Sequence, residues 1–192
     1  MADLILASTS PFRKAILEKL DIPFDTQSPE VDETPLDNES PEMLVERLSI
    51  AKAKAIADSL DKGLIIGSDQ VAIIDNKILG KPGSHAKAVE QLLQASGKTV
   101  TFLTGLCLYN ATSKTYQVEV VPFNVVFREL TKKQIDNYLN KEQPYNCAGS
   151  FKSEGLGITL FEKLDGDDPN TLIGLPLIRL VRMLEKEGVA VI

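Results

Sequence analysis

Apolar and polar positions along this chain follow two periods, and the switches between them mark the elements. The unbroken apolar run Leu4-Ile5-Leu6-Ala7 predicts a short buried strand. Ser10 as N-cap and Pro11 at the first helical position predict a helix whose inner stripe is Ala15, Ile16, Leu17 and Leu20. Ile22 to Gln27 predicts a second short strand. Ser28 to Ser40 is acidic, holds two prolines and has no period, so it reads as a loop. Ser40-Pro41 repeats the cap signal and opens a long helix with Leu44, Val45, Leu48, Ala51, Ala55, Ile56 and Leu60 inside. Leu64 to Gly67 is a further buried strand, and Ser68-Asp69-Gln70 follows it. Val71–Ile74 and Lys77–Leu79 flank Asp75-Asn76 as a hairpin. Ser84 to Ala95 forms a helix stopped by Gly97. Thr99–Tyr109 and Thr115–Arg128 are long strands joined by the polar turn Asn110 to Lys114. Thr131 caps a helix to about Asn140, Gln143–Gly157 is irregular, Ile158–Phe161 is a short strand, and Pro176–Lys186 is the closing helix. Helices alternate with strands, but hairpins are mixed in. The fold class is therefore α/β (mixed α+β), with strands of both directions. With no repeat and no Gly/Ser linker, residues 1–192 read as a single domain.

Composition removes several function classes. The chain has 192 residues, with 21 Lys+Arg against 27 Asp+Glu, a formal charge of −6. A sequence-blind binder of duplex DNA needs a basic face, so no nucleic-acid polymer is expected as a partner. A small anionic ligand is still allowed, because a local cationic pocket can sit on an acidic surface. No stretch approaches the roughly 20 apolar residues that cross a membrane, and the N-terminus lacks the basic and apolar regions of a signal peptide. Cys107 and Cys147 are far apart and form no C-x-x-C, so reduced thiols in a cytoplasmic protein are expected, not a zinc cage or a disulfide framework. His85 is the single histidine, and it lies in a first helical turn, which suits a surface role.

Six segments carry groups suited to chemistry. Ser8-Thr9-Ser10-Pro11-Phe12-Arg13-Lys14 puts hydroxyls and cations at a strand-to-helix junction, a setting that suits a phosphate; the spacing is not that of a Walker A loop. Glu30-Val31-Asp32-Glu33 gathers three carboxylates that either hold a divalent cation or form an acidic surface. Asp69 directly follows a buried strand, at the sheet edge where α/β proteins place ligands. Lys81 sits in the stiff turn Gly80-Lys81-Pro82. Lys52 lies at the margin of its helix's apolar stripe, either snorkelling to solvent or reaching a cleft. Gly149 to Gly155 is a glycine-bounded loop dense in polar groups. Cations for phosphates, carboxylates for a metal or water, and a polar loop together fit a nucleotide with a polyphosphate tail.

These residues resemble the Maf family of nucleoside triphosphate pyrophosphatases along essentially the whole chain. The matching marks are Leu-Ala-Ser-x-Ser-Pro-x-Arg at 6 to 13, Val-Asp-Glu-Thr-Pro at 31 to 35, Lys52-Ala53, Gly67-Ser68-Asp69 and Gly80-Lys81-Pro82. The runs 66–70, 147–155 and 168–176 resemble the YceF-like subgroup, whose implied substrate is 7-methyl-GTP. The resemblance implies a two-lobed Maf-type (ITPase-like) fold with a mixed, curved sheet and a central cleft. It also implies a homodimer, and hydrolysis of a triphosphate to monophosphate and pyrophosphate with a divalent metal, Mg or Mn. By position, Asp69 is the implied proton acceptor, and Lys52 and Lys81 join it as catalytic residues. Ser8, Ser10 and Arg13 are implied to bind the phosphates, Phe12, Gln70 and Glu154 to set base specificity, and Glu33 with Asp69 to hold the metal.

The departures from the dTTP/UTP-cleaving branch run in one direction. That branch typically has Arg at the position of Phe12, Thr at that of Gln70 and Gln at that of Glu154. A base methylated at N7 is positively charged, so an aromatic face and a carboxylate both attract it. Two alternatives stand at this stage: a pyrophosphatase for other canonical or modified nucleotides, and a non-enzymatic regulator of septum formation.

Overall fold

The computed structural model describes residues 3–192. Among the described residues seven strands, β1 (Leu4–Ala7), β2 (Asp25–Gln27), β3 (Leu64–Ile74), β4 (Lys77–Leu79), β5 (Thr99–Asn110), β6 (Thr115–Phe127) and β7 (Phe161–Asp165), form one mixed sheet in the order β2-β1-β3-β5-β6-β7, with β4 paired to β3. The chain divides into two compact units. The first holds Met1–Gln70, Thr104–Val121 and Asp168–Ile192, and the second holds Val71–Leu103 and Pro122–Asp167.

In the first unit, β1 (Leu4–Ala7) runs parallel to both β2 (Asp25–Gln27) and β3 (Leu64–Ile74). All four β1 residues are buried because both faces of this parallel region are covered. Leu4 and Leu6 pack with Ile16 and Leu17 of α1 (Pro11–Leu17) and with Leu177, Leu180, Met183 and Leu184 of α6 (Leu177–Lys186). Ile5 and Ala7 point the other way, onto Ala53, Ile56 and Ala57 of α2 (Pro41–Ala57). Alternation along one strand thus feeds two cores. Ser10 and Ser40 cap their helices as the sequence predicts, accepting from the Arg13 and Met43 amides. Asp168 caps a five-residue helix, α5 (Pro169–Ile173), that ends at Gly174 with φ +118°.

In the second unit, β3 continues into a hairpin with β4 (Lys77–Leu79). Asp75 and Asn76, both at positive φ, make the turn. α3 (His85–Ala95) packs on α4 (Lys132–Glu142), and β7 (Phe161–Asp165) pairs antiparallel with the end of β6 (Thr115–Phe127). Beside β6 in the strand order lies β5 (Thr99–Asn110). Phe151 lies at the centre of an edge-on aromatic cluster with Phe102, Phe127 and Phe161.

Five expectations are corrected. The strand expected from Ile22 starts only at Asp25, since Pro23 lacks the N–H a ladder needs. Asp69 does not follow a strand: β3 runs unbroken through Ser68-Asp69-Gln70, just past the end of its pairing with β1 at Ile66. Ile158 is not in a strand but in a 3-10 turn, Leu156–Leu160, and half exposed. A Cβ at Gly157 would lie 2.1 Å from the Lys152 carbonyl, so the chain doubles back there. α5 was not expected, because five residues are too short to show a period. Ala15 and Ala55 are exposed, whereas Lys52 is buried on α2. Among the described residues no helix is long and apolar enough to cross a membrane.

Candidate active site

The approach of α2 to β3 builds the centre of the first unit's site. A Cβ on Gly67 would lie 2.1 Å from the Ser49 carbonyl and 2.8 Å from the Ala53 amide. Only glycine lets strand and helix backbones come this close. That approach carries Lys52, 7% exposed, to Asp69, 8% exposed. Lys52 Nζ lies 2.6 Å from Asp69 Oδ1 and 2.6 Å from Glu33 Oε1. Glu33 is the exposed partner of the three, and its loop is pinned from α2. Arg47 donates to both Glu39 oxygens, at 2.5 and 2.8 Å, and to the Thr34 carbonyl at 3.2 Å. The Asp32 carboxylate accepts from the Thr34 amide at 2.9 Å, which tightens the turn after Glu33.

Arg13 approaches from α1. Its Nε donates to the Gly174 carbonyl at 2.9 Å, and Ser68 Oγ donates to the same oxygen at 3.0 Å. Burial pulls the Arg13 guanidinium below its ordinary value, while the charges of Asp69 and Glu33 oppose that shift. It stays a cation at neutral pH, since guanidinium does not deprotonate in proteins. Ser8 Oγ accepts from the Ser10 amide at 3.1 Å, and Ser10 Oγ from the Arg13 amide at 3.3 Å. Each hydroxyl keeps its own proton to donate to an anion. α1 is only seven residues long, so the polar groups that this segment offers are these side chains more than a helix dipole. Phe12 is 44% exposed beside them, leaving an aromatic face open.

Gln70 is more constrained than the sequence suggests. Its Nε2 donates to Thr104 Oγ1 and the Thr171 carbonyl at 2.8 Å, with the Leu172 carbonyl at 3.3 Å. Its amide protons are therefore committed, and only Oε1 is left to meet a ligand. α5 and its cap thus serve as a rack of carbonyls for Arg13, Ser68 and Gln70. Asp168, 3% exposed, holds that rack. Its carboxylate accepts from the Asn170 amide at 2.8 Å, from Asn170 Nδ2 at 2.7 Å and from the Ile178 amide at the start of α6 at 2.9 Å.

The second unit places Lys81 and Glu154 on two exposed segments. The Lys81 turn is held at the Gly80 carbonyl, which accepts from Gln91 Nε2 at 3.0 Å, and at the Gly83 amide, which donates to the Tyr145 carbonyl at 3.0 Å. Tyr145 in turn meets His85 Nδ1 through its hydroxyl, at 3.0 Å. The Glu154 loop is held from α4: Glu142 accepts from the Leu156 amide at 2.9 Å, and Tyr138 from the Lys152 amide at 3.1 Å.

A model of the Maf-like protein family matches residues 3–187. The chain belongs to the Maf family. It is 60% identical over 192 residues to the 7-methyl-GTP pyrophosphatase of Colwellia psychrerythraea, covering all of this chain and 96% of that one. It is also 60% identical over 189 residues to the 7-methyl-GTP pyrophosphatase of Aliivibrio fischeri, covering 98% of each. Among solved structures, a HAM1 protein from Coxiella burnetii matches with a TM-score of 0.56 at 15% identity, over 97% of this chain and all of that one. That likeness speaks to the fold alone.

Within this Maf chain the structure brings Arg13, Glu33, Lys52 and Asp69 into one electrostatic group. Ser8, Ser10 and Phe12 lie on the segment leading to Arg13, and Gln70 follows Asp69 on β3. Among the described residues no three His, Cys, Asp or Glu side chains form a self-sufficient metal cage. Two carboxylates do converge on one cationic nitrogen, at Glu33 and Asp69. That donor set fits Mg²⁺, which is commonly bound by one or two carboxylates together with substrate phosphates. Sequence reasoning missed Arg47, Asp168, Gln91, Tyr138 and Glu142. Of these only Asp168 had a legible signal, a capping residue followed by proline.

Proposed function

We propose that this Maf protein hydrolyses 7-methyl-GTP to 7-methyl-GMP and pyrophosphate. The observation that carries the reading is the Glu33–Lys52–Asp69 group, present in a chain 60% identical to relatives that bear that enzymatic name. A pure binding module has no need of a buried lysine poised between two carboxylates.

Asp69 accepts a proton from the attacking water. The water oxygen forms a bond to the α-phosphorus, and the bond from that phosphorus to the bridging oxygen breaks. Pyrophosphate leaves with the electron pair. Arg13 and Lys52 neutralise the charge that develops on the phosphates. Glu33 and Asp69 would hold a divalent cation, Mg²⁺ or Mn²⁺, which when bound would supply further charge neutralisation. The family resemblance assigns Lys81 to the phosphates and Glu154 to the base. Phe12 offers its open face to a methylated, positively charged guanine.

A panel of 7-methyl-GTP, GTP, dTTP and UTP with pyrophosphate detection tests the reading. The expected result is preference for 7-methyl-GTP, dependent on added Mg²⁺ or Mn²⁺. Preference for dTTP or UTP would overturn it, as would turnover that is unaffected by chelation.

A further inference from the structure

Gln91 sits on α3, half-buried, with both ends of its amide committed. Nε2 donates to the Gly80 carbonyl at 3.0 Å, and Oε1 accepts from Ser150 Oγ. Gly80 is the residue before Lys81. Ser150 is fully buried and lies four residues before Glu154. It also holds a left-handed backbone at φ +63°, next to Gly149 at φ +75°. A non-glycine residue in that region is strained, and such strain persists where neighbours over-determine it. The restraints on Ser150 are visible. Gln91 takes its hydroxyl, the Cys147 carbonyl takes its amide at 3.2 Å, and Phe151 locks the next position into the aromatic cluster.

We propose that Gln91 is a positioning residue for the reaction, a single amide that fixes the Lys81 turn and the Glu154 loop in one mutual register. The proposal rests on the function proposed above, in which Lys81 serves the phosphates and Glu154 the base. No other side-chain type of this length both donates and accepts through a planar group. Aspartate, glutamate and lysine each supply half of the pair.

That asymmetry supplies the test. Gln91→Glu keeps an acceptor for Ser150 and removes the donor to Gly80. Ser150→Ala removes the tie to the loop and keeps the tie to the turn. Gln91→Ala removes both. Steady-state kinetics on 7-methyl-GTP and GTP should separate the three. Gln91→Glu should raise KM for both triphosphates alike, roughly five- to tenfold for one lost hydrogen bond, and keep the 7-methyl preference. Ser150→Ala should lower the preference by a similar factor. Gln91→Ala should do both, with kcat changing by less than KM.

Gln91→Ala kinetics within about twofold of wild type in KM and in preference would overturn the proposal. So would equal loss of kcat in all three variants with KM and preference unmoved, the pattern of general destabilisation. If Gln91→Ala does not fold, the contrast between Gln91→Glu and Ser150→Ala still decides. If the wild type prefers another triphosphate, the substrate assignment fails, and Gln91 is judged by the same contrast on the preferred one. Amide hydrogen exchange of the unliganded protein adds an activity-free readout. Exchange at the Gly83 amide should accelerate in Gln91→Glu and not in Ser150→Ala; the same rate in both would count against the coupling.

Discussion

Lys52 Nζ stands 2.6 Å from Asp69 Oδ1 and an equal 2.6 Å from Glu33 Oε1, so one buried cation joins a strand carboxylate to a loop carboxylate. Asp69 is thereby oriented without being blocked, because the paired oxygen is one of two. On the proposed function, the exposed carboxylate, Glu33, would exchange Lys52 for a metal, and Lys52 would then be free to meet a phosphate arriving with the substrate.

Removing the charge of Asp69 separates its two duties. Asp69→Asn keeps the side-chain shape and loses the proton acceptor. Pyrophosphate release should fall by about 10² to 10⁴, the usual contribution of a general base. Binding of a non-hydrolysable triphosphate, measured with a chelator present so that the lost metal ligand plays no part, should change far less. Near-normal turnover would show that another group takes the proton.

The close packing that delivers Lys52 is itself testable. Gly67→Ala forces a methyl group to within 2.1 Å of the Ser49 carbonyl, a backbone atom that cannot swing aside. Overpacking of this kind costs about 1–3 kcal/mol or more. Thermal unfolding should show a clear fall in Tm, and activity should drop with it as Lys52 is pushed off Asp69. Gly80→Ala is the control for stability, since a Cβ there meets nothing within 4 Å.

Acid stability should carry the mark of Glu39. Its bond to the Arg47 guanidinium lowers the carboxyl from 4.5 to about 2. A group whose pKa is depressed on folding stabilises the protein above its unfolded value and loses that contribution as pH falls through the folded value. Glu39→Gln should therefore be less stable than wild type above pH 4.5, and the two should converge as the pH approaches about 2. Urea titrations at several pH values would check this. A constant difference down to pH 2 would assign the effect to something other than this ion pair.

The two thiols should differ in reactivity. Burial pushes the Cys107 thiol up to about 12, and that of Cys147 is raised less strongly by the same cause. A thiolate is the reactive form, so neither reacts quickly at neutral pH. A disulfide reagent should modify half-buried Cys147 slowly and Cys107 only on unfolding. Rapid labelling of both would mean the sheet opens around Cys107.

What was legible in the sequence follows from the range of the interactions. Ser10-Pro11 and Ser40-Pro41 announce their helices because a cap acts within four residues. The Asp75-Asn76 turn is equally local. The continuity of β3 was not legible, since the polar triplet Ser68-Asp69-Gln70 reads as a break until its partners are known. Those partners, Lys52, Thr104, Thr171 and Gly174, lie 17 to 106 residues away. Likewise, a glutamine on a helix face gives no sign that it spans two loops, so Gln91 had no signal at all. Arg13, Glu33, Lys52 and Asp69 stood out from their local settings, the family resemblance gave them roles, and the tight Gly67 contact supplies the physical reason that Lys52 and Asp69 meet.

Glu154 offers the sharpest test of base selection. It is exposed, and its nearest tie is a 3.3 Å bond from Ser153 Oγ, so its removal should leave the fold intact. Glu154→Gln keeps the length and one acceptor but loses the charge. Attraction between that carboxylate and the positive N7-methylguanine would be lost, while contacts to neutral guanine would be largely retained. The preference for 7-methyl-GTP over GTP should fall about tenfold, through a rise in KM for the methylated substrate alone. Phe12→Ala should weaken both substrates, because stacking serves any base, and the methylated one more. An unchanged ratio in Glu154→Gln would remove charge as the selector and leave the aromatic face to account for it.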